Sequence, residues 1–412
     1  MSILQHSLLV LCFFPSITFG VISAEIFPWA ILFFIFSIRK IARQDFIFSC
    51  ALIFFLSLSA LTSFLLNPES DAIRSFAAYL NPIVAFIAFL NMPESWVYRS
   101  IKLVKKILLA LVLLGIAQYV GILRPFEPVI QALIPRASGG TLSEFGGRGV
   151  TLLSTEPSRA GVELVFFYFI WRMTQPAKFG TVKIDIAFLA YIAFILKAAQ
   201  PMAFGFVVIG LLITRRPVHL VPFVLAALIA PLVELNESNN RLLLLATKVF
   251  SSGSLSDTML VLVNAAGPRL ISIYAFITSG FSNPIGYGVG NWPVSSILAL
   301  DATGYDLDQI SYFRVLGEGN SIGIRGSGML TNLMLDIGFV GTLFFIFWIF
   351  SITRRFRTNE RRTLILMIVL LFKISFIGSI GEPIPWIAAA LILRFNKAEW
   401  RSRRDLGVLI PA

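Results

Sequence analysis

An all-α integral membrane protein, with about twelve transmembrane helices and two long external loops, is the fold class this sequence predicts. Three observations carry it. Hydrophobic residues fill 57% of the 412 positions against 14% charged, with 39 phenylalanines. The mean hydropathy of +0.83 exceeds what a soluble core and its polar shell require. Apolar runs recur along the chain near the roughly 17–25 residues that cross about 30 Å of hydrocarbon. Between them, Lys and Arg stand in short clusters, which is how membrane topology is written. A nucleic-acid binder gathers such charge into one stripe, so the net charge of +12 does not point to nucleic acid.

The expected spans lie at approximately 7–23, 26–38, 46–66, 75–91, 107–123, 158–174, 184–197, 199–214, 217–234, 328–350, 363–380 and 384–395. The N-terminal run "SLLVLCFFPSITFGVISA" ends in a small-residue site at Ser23 and Ala24 but has no Lys or Arg ahead of it. A second span follows at once, so it reads as a retained first helix. Alternate connections, from "RKIAR" (39–43) to the tail at 394–404, hold 22 of the 34 Lys and Arg, which places them and both termini in the cytoplasm. The remaining connections are then external. Two are long: 124–157 and 235–327. The second exceeds ordinary connection lengths by far and contains apolar helical patterns at 241–250 and 269–281, read as helices lying along the membrane surface. Residues 1–412 thus form one polytopic domain with two external elaborations. Cys12 and Cys50 both lie in apolar runs, which leaves neither a disulfide framework nor a thiolate metal site.

Polar residues concentrate where the first long loop meets the sixth span, in "GGRGVTLLSTEPSRAG" (146–161). Arg136, Arg148 and Arg159 are joined there by Glu144, Glu156, Ser154, Thr155 and Ser158. An arginine fork suits bidentate capture of phosphate oxygens, and close-set glycines let backbone N–H groups approach the same anion. The alternative is a solvated loop, with Ser158 capping the span, Pro157 ahead of it and Arg159 pairing with Glu163 four residues on. In the second loop Arg269 opens an apolar helix that ends in the turn "NPIGYGVGNW", and Arg325 stands just outside the tenth span. Asp336, Lys373 and Glu382 are ionisable residues in or beside spans, costly to bury and therefore functional candidates unless packing partners satisfy them.

Taken together, these segments resemble the bacterial oligosaccharide repeat-unit polymerases of the Wzy type, within the O-antigen ligase superfamily. The similarity lies in "STEPSRAG" at a span mouth, in "PRLISIYAFITSGFSNPIGYGVGNW" and in "GSGMLTNLMLDIGFVGTLFF", and extends in plan over nearly the whole chain. Arg136 with Gly147, and Arg269 with Gly280, each repeat the family's spacing of an arginine, ten residues and a glycine in an external loop. The ligases carry a histidine late in the large loop. This chain has only His6 and His219, neither in an external loop.

The resemblance implies a GT-C-like membrane fold and a glycosyltransferase that polymerises undecaprenyl-pyrophosphate-linked repeat units at the periplasmic face of the bacterial inner membrane. It implies lipid-linked oligosaccharides and membrane lipids as partners, with a chain-length regulator and a flippase nearby. Neither metal nor cofactor is required in principle, since arginine can neutralise a leaving pyrophosphate. In this reading Arg148 and Arg269 join Glu156 as catalytic candidates, with Glu156 as base, orienting group or helix-end cap. Arg136, Arg159, Arg325, Gly147 and Gly280 are the expected substrate contacts. A flippase has a similar span count but would put its charges inside spans around a central cavity.

Overall fold

The computed structural model describes residues 3–17, 26–37, 41–68, 70–134, 137–138, 149–175, 181–214, 254, 268–305, 307, 310, 313, 323–356 and 360–405. Every regular element among them is helical. In chain order these are α1 (Ile3–Cys12), α2 (Pro28–Ser37), α3 (Arg43–Leu66), α4 (Ala72–Asn91), α5 (Glu94–Val120), α6 (Glu127–Leu133), α7 (Pro157–Met173), α8 (Thr181–Tyr191) and α9 (Ala199–Ile213). They continue with α10 (Pro268–Ser282), α11 (Trp292–Asp301), α12 (Met329–Asp336), α13 (Gly338–Arg354), α14 (Glu360–Phe376) and α15 (Ile384–Asp405). The expected ninth span, 217–234, and the helical pattern at 241–250 lie outside the described residues.

By length and composition two helices can cross a membrane, α3 and α4, or three if α5 and the following Arg124–Leu133 segment, bent by 102°, count as one span. The helices at the other expected positions are shorter, amphipathic or interrupted, so twelve unbroken spans are not what the described residues contain. Ile3–Cys12, Pro28–Ser37, Gln200–Ile213 and Gly338–Arg354 are apolar but only 10–17 residues long, about 15–25 Å of helix at 1.5 Å per residue. The seventh expected span changes after Tyr191 into a π-helical turn, Ile192–Leu196, closed by Lys197 at φ 47°. Residues 124–133, expected to be loop, form a 3-10 turn at Arg124–Phe126 and α6, with Phe126, Val129 and Leu133 exposed.

The tenth expected span is also two helices. Gly338 takes φ 64°, and a Cβ there would sit 2.3 Å from the Pro284 carbonyl oxygen, so the chain turns at a glycine that only a side-chain-free residue fills without strain. The turn after α10 fills the break. Tyr287 N–H donates to the Leu335 carbonyl at 3.0 Å, Gly288 N–H to that of Asp336 at 2.8 Å, and Val340 N–H to Pro284 at 3.1 Å. Carbonyls freed at the end of α12 are thereby satisfied.

α4 is the central helix, buried along most of its length and packed by α2, α3 and α15. α15 presents Ala388, Ala389 and Ala390, all fully buried, small enough for close helix approach. Phe86, Phe345, Trp348 and Trp386 interlock beside it with ring centroids 5.6–5.9 Å apart. The Trp348 indole donates to Ser49 Oγ at 3.1 Å. A smaller core, including Ile271, Phe276, Leu300, Phe313 and Leu335, holds α10 and α11 onto α12. α10 buries Ile271, Ala275 and Phe276 on one face and exposes Leu270, Tyr274, Ile277 and Phe281 on the other.

Candidate functional site

Two groups of charged side chains gather at the end of the bundle where α4, α7 and α15 begin. The first belongs to α7. Buried Gln118 on α5 anchors the approach, donating to the Ser138 and Leu152 carbonyls at 2.9 and 3.1 Å and accepting from Leu152 N–H at 2.9 Å. α7 then starts at Pro157, whose missing N–H costs nothing at that position, and delivers Arg159 into the interior. Arg159 Nε lies 3.5 Å from Glu163 Oε1 and 3.9 Å from Glu382 Oε1, with its guanidinium 4.6 Å above the Phe27 ring. Glu382 also pairs with Lys373 and accepts from Ser379 N–H at 3.2 Å. Burial works against the charge on Glu382, but Lys373 and Arg159 more than offset it and hold its carboxyl below the usual range.

The second group centres on α4. Arg325 donates to Ser75 Oγ at 2.9 Å, lies 3.5 Å from Asp71 Oδ2 and stacks 4.9 Å over Trp292. The Trp292 indole donates to the same Asp71 oxygen at 3.2 Å, and Arg74 reaches it at 3.9 Å. Asp71 occupies the N-cap of α4 yet makes no side-chain cap bond, forgoing about 1 kcal/mol that an N-cap aspartate ordinarily contributes. One turn below Ser75, the Tyr79 hydroxyl donates to Asp336 Oδ2 at 2.8 Å. The fold brings residue 71 to residue 292 through Gly290, where a Cβ would lie 2.5 Å from the Ala72 backbone. Asp71 N–H donates to the Gly290 carbonyl at 3.0 Å. The two groups are bridged by Gly328 N–H donating to the Gly378 carbonyl at 3.0 Å, which ties the Arg325 segment to the turn that carries Glu382.

Arg159 and Arg325, among the expected contacts, therefore share one end of the bundle, with Asp336, Lys373 and Glu382 beside them. Other expected residues lie elsewhere. Glu156 is exposed and occupies the N-cap of α7, where it accepts from Ser158 Oγ at 3.4 Å. Ser158 sits inside the first turn and is not the cap. Arg269 is exposed at the start of α10. Gly280 lies where α10 crosses α12, and a Cβ there would meet the Met334 carbonyl oxygen at 2.7 Å, so its small size serves helix packing. Arg136, Gly147 and Arg148 lie outside the described residues.

No family model, curated protein or solved structure matches this chain.

Asp71, Ser75, Tyr79 and Trp292 were not singled out from the sequence. The one local signal was an aspartate directly before a helix in a short connection, "NPESDAIR" (67–74), which ordinarily marks a cap. Chemically, each group offers an arginine fork suited to an anion with several oxygens, with carboxylates beside it.

Proposed function

We propose that this chain is a Wzy-type polymerase, a glycosyltransferase that extends a lipid-linked oligosaccharide at the outer face of the bacterial inner membrane. Here the helices assemble into a bundle of about twelve membrane-crossing segments, some of them broken, with both termini in the cytoplasm. One observation carries the reading. Arg159 and Arg325 come from the borders of the two intervals assigned outside, and the Gly328–Gly378 hydrogen bond ties the Arg325 segment to the turn whose Glu382 faces Arg159. The distribution of the other cations agrees with it. Arg172, Arg355 and the pair Arg361 and Arg362 stand at the opposite ends of α7, α13 and α14, and Arg394 donates to the Met92 carbonyl at the end of α4, as the positive-inside rule requires of a cytoplasmic face.

The chemistry asks for neutralisation of a leaving pyrophosphate as the bond between the anomeric carbon and phosphate breaks. Two arginines suit that task without a metal. The exposed apolar face of α10, Leu270, Tyr274, Ile277 and Phe281, gives a lipid tail a surface on the helix that follows Arg269.

The test is reconstitution of the full chain in phosphatidylethanolamine and phosphatidylglycerol vesicles with a radiolabelled undecaprenyl-pyrophosphate-linked repeat unit. A ladder of longer products is expected, and Arg325→Ala should lower its rate by about 10²–10³-fold. Transport of the unit across the bilayer without elongation would overturn the reading in favour of a flippase. Transfer only to a lipid A core acceptor would overturn it in favour of a ligase.

A further inference from the structure

The geometry points to Asp71 as the general base that takes the proton from the acceptor sugar hydroxyl, a role that rests on the polymerase reading. Among the described residues Asp71 is a carboxylate that faces Arg325, at 3.5 Å, and its side chain is 32% exposed, so a substrate can reach it. Its contacts all run to one oxygen. Oδ2 accepts from the Trp292 indole and faces Arg325 and Arg74, while Oδ1 has no hydrogen bond or ion pair among the described residues. A carboxylate fixed through one oxygen and open at the other is an oriented acceptor.

Its backbone position makes the arrangement purposeful. An aspartate at a helix N-cap ordinarily turns its side chain onto the exposed N–H groups of the first turn. Asp71 leaves that bond unmade and points at residues more than 200 positions away in the chain. The cap bond is exchanged for tertiary contacts that orient the carboxylate, and local rules broken in this way are expected at functional positions.

Other carboxylates at this end are less suited. Glu163 and Glu382 are 12% and 10% exposed and engaged with Arg159 and Lys373. Asp336 lies deeper, 3% exposed, beneath Tyr79. Glu156 is exposed at the N-cap of α7 and meets Ser158, with no hydrogen bond or ion pair to Arg159 or Arg325 among the described residues.

In the proposed step the acceptor hydroxyl oxygen forms a bond to the anomeric carbon of the donor as its proton passes to Asp71 Oδ1. The bond from that carbon to the phosphate oxygen breaks, and its electron pair leaves with the lipid pyrophosphate beside Arg325. The proton on Asp71 is then released to solvent.

The experiment uses the reconstituted full chain and the radiolabelled lipid-linked unit. Asp71→Ala is expected to lower kcat by about 10²–10⁴-fold with KM changed little. Sodium formate, against chloride at equal ionic strength, should restore part of that rate, and Asp71→Glu should retain more activity than Asp71→Ala. A merely structural carboxylate would give no formate rescue. If the wild type elongates and Asp71→Ala keeps kcat within about threefold, the base assignment alone is overturned. If the wild type forms no ladder, the polymerase reading fails and Asp71 with it. Should Asp71→Ala not be recovered folded, Trp292→Phe decides the matter, because it removes the indole donor that fixes Oδ2 and keeps an aromatic ring under Arg325. A fall in kcat of at least about fivefold at unchanged KM supports the assignment, and an unchanged kcat overturns it.

Discussion

Helix α7 carries an arginine near each end that faces buried carboxylates, and the two ends are built differently. At the C-terminal end Arg172 meets Asp185 as a two-pronged fork, 2.9 Å from Nε to Oδ1 and 3.0 Å from Nη2 to Oδ2. The Tyr168 hydroxyl donates to Oδ1 as well, and the Tyr168 ring stacks on Phe188 with centroids 3.9 Å apart. The Asp185 side chain is fully buried. At the N-terminal end, about 20 Å away along the axis, Arg159 faces Glu163 and Glu382 at 3.5 and 3.9 Å while Lys373 shares Glu382. The first is a closed structural clasp in which each donor meets its acceptor at hydrogen-bond length. In the second, Lys373 holds Glu382 directly while Arg159 faces its two carboxylates at longer range, an arrangement in which Arg159 can re-pair around an incoming anion.

That contrast can be broken or sharpened by substitution, beginning with the largest effect. Asp185→Asn should cost about 3–5 kcal/mol of stability, because it leaves the Arg172 charge without its buried counter-ion. Activity per folded molecule should be retained, and unfolding in detergent alongside the elongation assay measures both. Tyr168→Phe removes one hydrogen bond to the same charged acceptor and should cost about 1.5–3 kcal/mol. Arg159→Lys keeps the charge and loses the fork, and should change stability by less than about 1 kcal/mol while reducing elongation at least tenfold. If Arg159→Lys instead destabilises as strongly as Asp185→Asn with activity per molecule intact, both ends are structural and the distinction falls.

The smallest effect is one of pH. Glu382 is held below its ordinary value of 4.5, so its contribution to stability is fully present above that value. It is lost as pH falls through the lower native value. Thermal unfolding of the solubilised chain should decline less steeply on acidification in Glu382→Gln than in the wild type.

Part of this was legible in the residues. Arg159 and Glu163 stand four apart on a helix, and they pair. Asp336, Lys373 and Glu382 stood out as charges set in apolar surroundings, and each has a buried partner, with Tyr79 donating to Asp336 and Lys373 meeting Glu382. Asp71 was hidden because its meaning is tertiary: the indole that fixes it is 221 residues away, and an aspartate before a helix looks like an ordinary cap. The break between α12 and α13 was hidden for a similar reason. Residues 328–350 read as one continuous apolar run, and the chain parts at Gly338 only because the distant 283–291 turn supplies hydrogen bonds there. Glu156 was favoured for residue type and loop position, and Arg269 also for its spacing to Gly280; none of these properties specifies the direction in which a side chain points.

The seating of that turn has a consequence for synthesis. Tyr287 and Gly288 find their carbonyl partners at Leu335 and Asp336, and Val289 N–H finds Ser59 Oγ. The wedge between the early and late helices therefore cannot lock until the ribosome has released about fifty further residues. A chain stalled before Leu335 would hold Asp71, Trp292 and Arg325 but lack the Leu335 and Asp336 carbonyls that seat the turn beside them, which ties the ability to act to completion of the late helices.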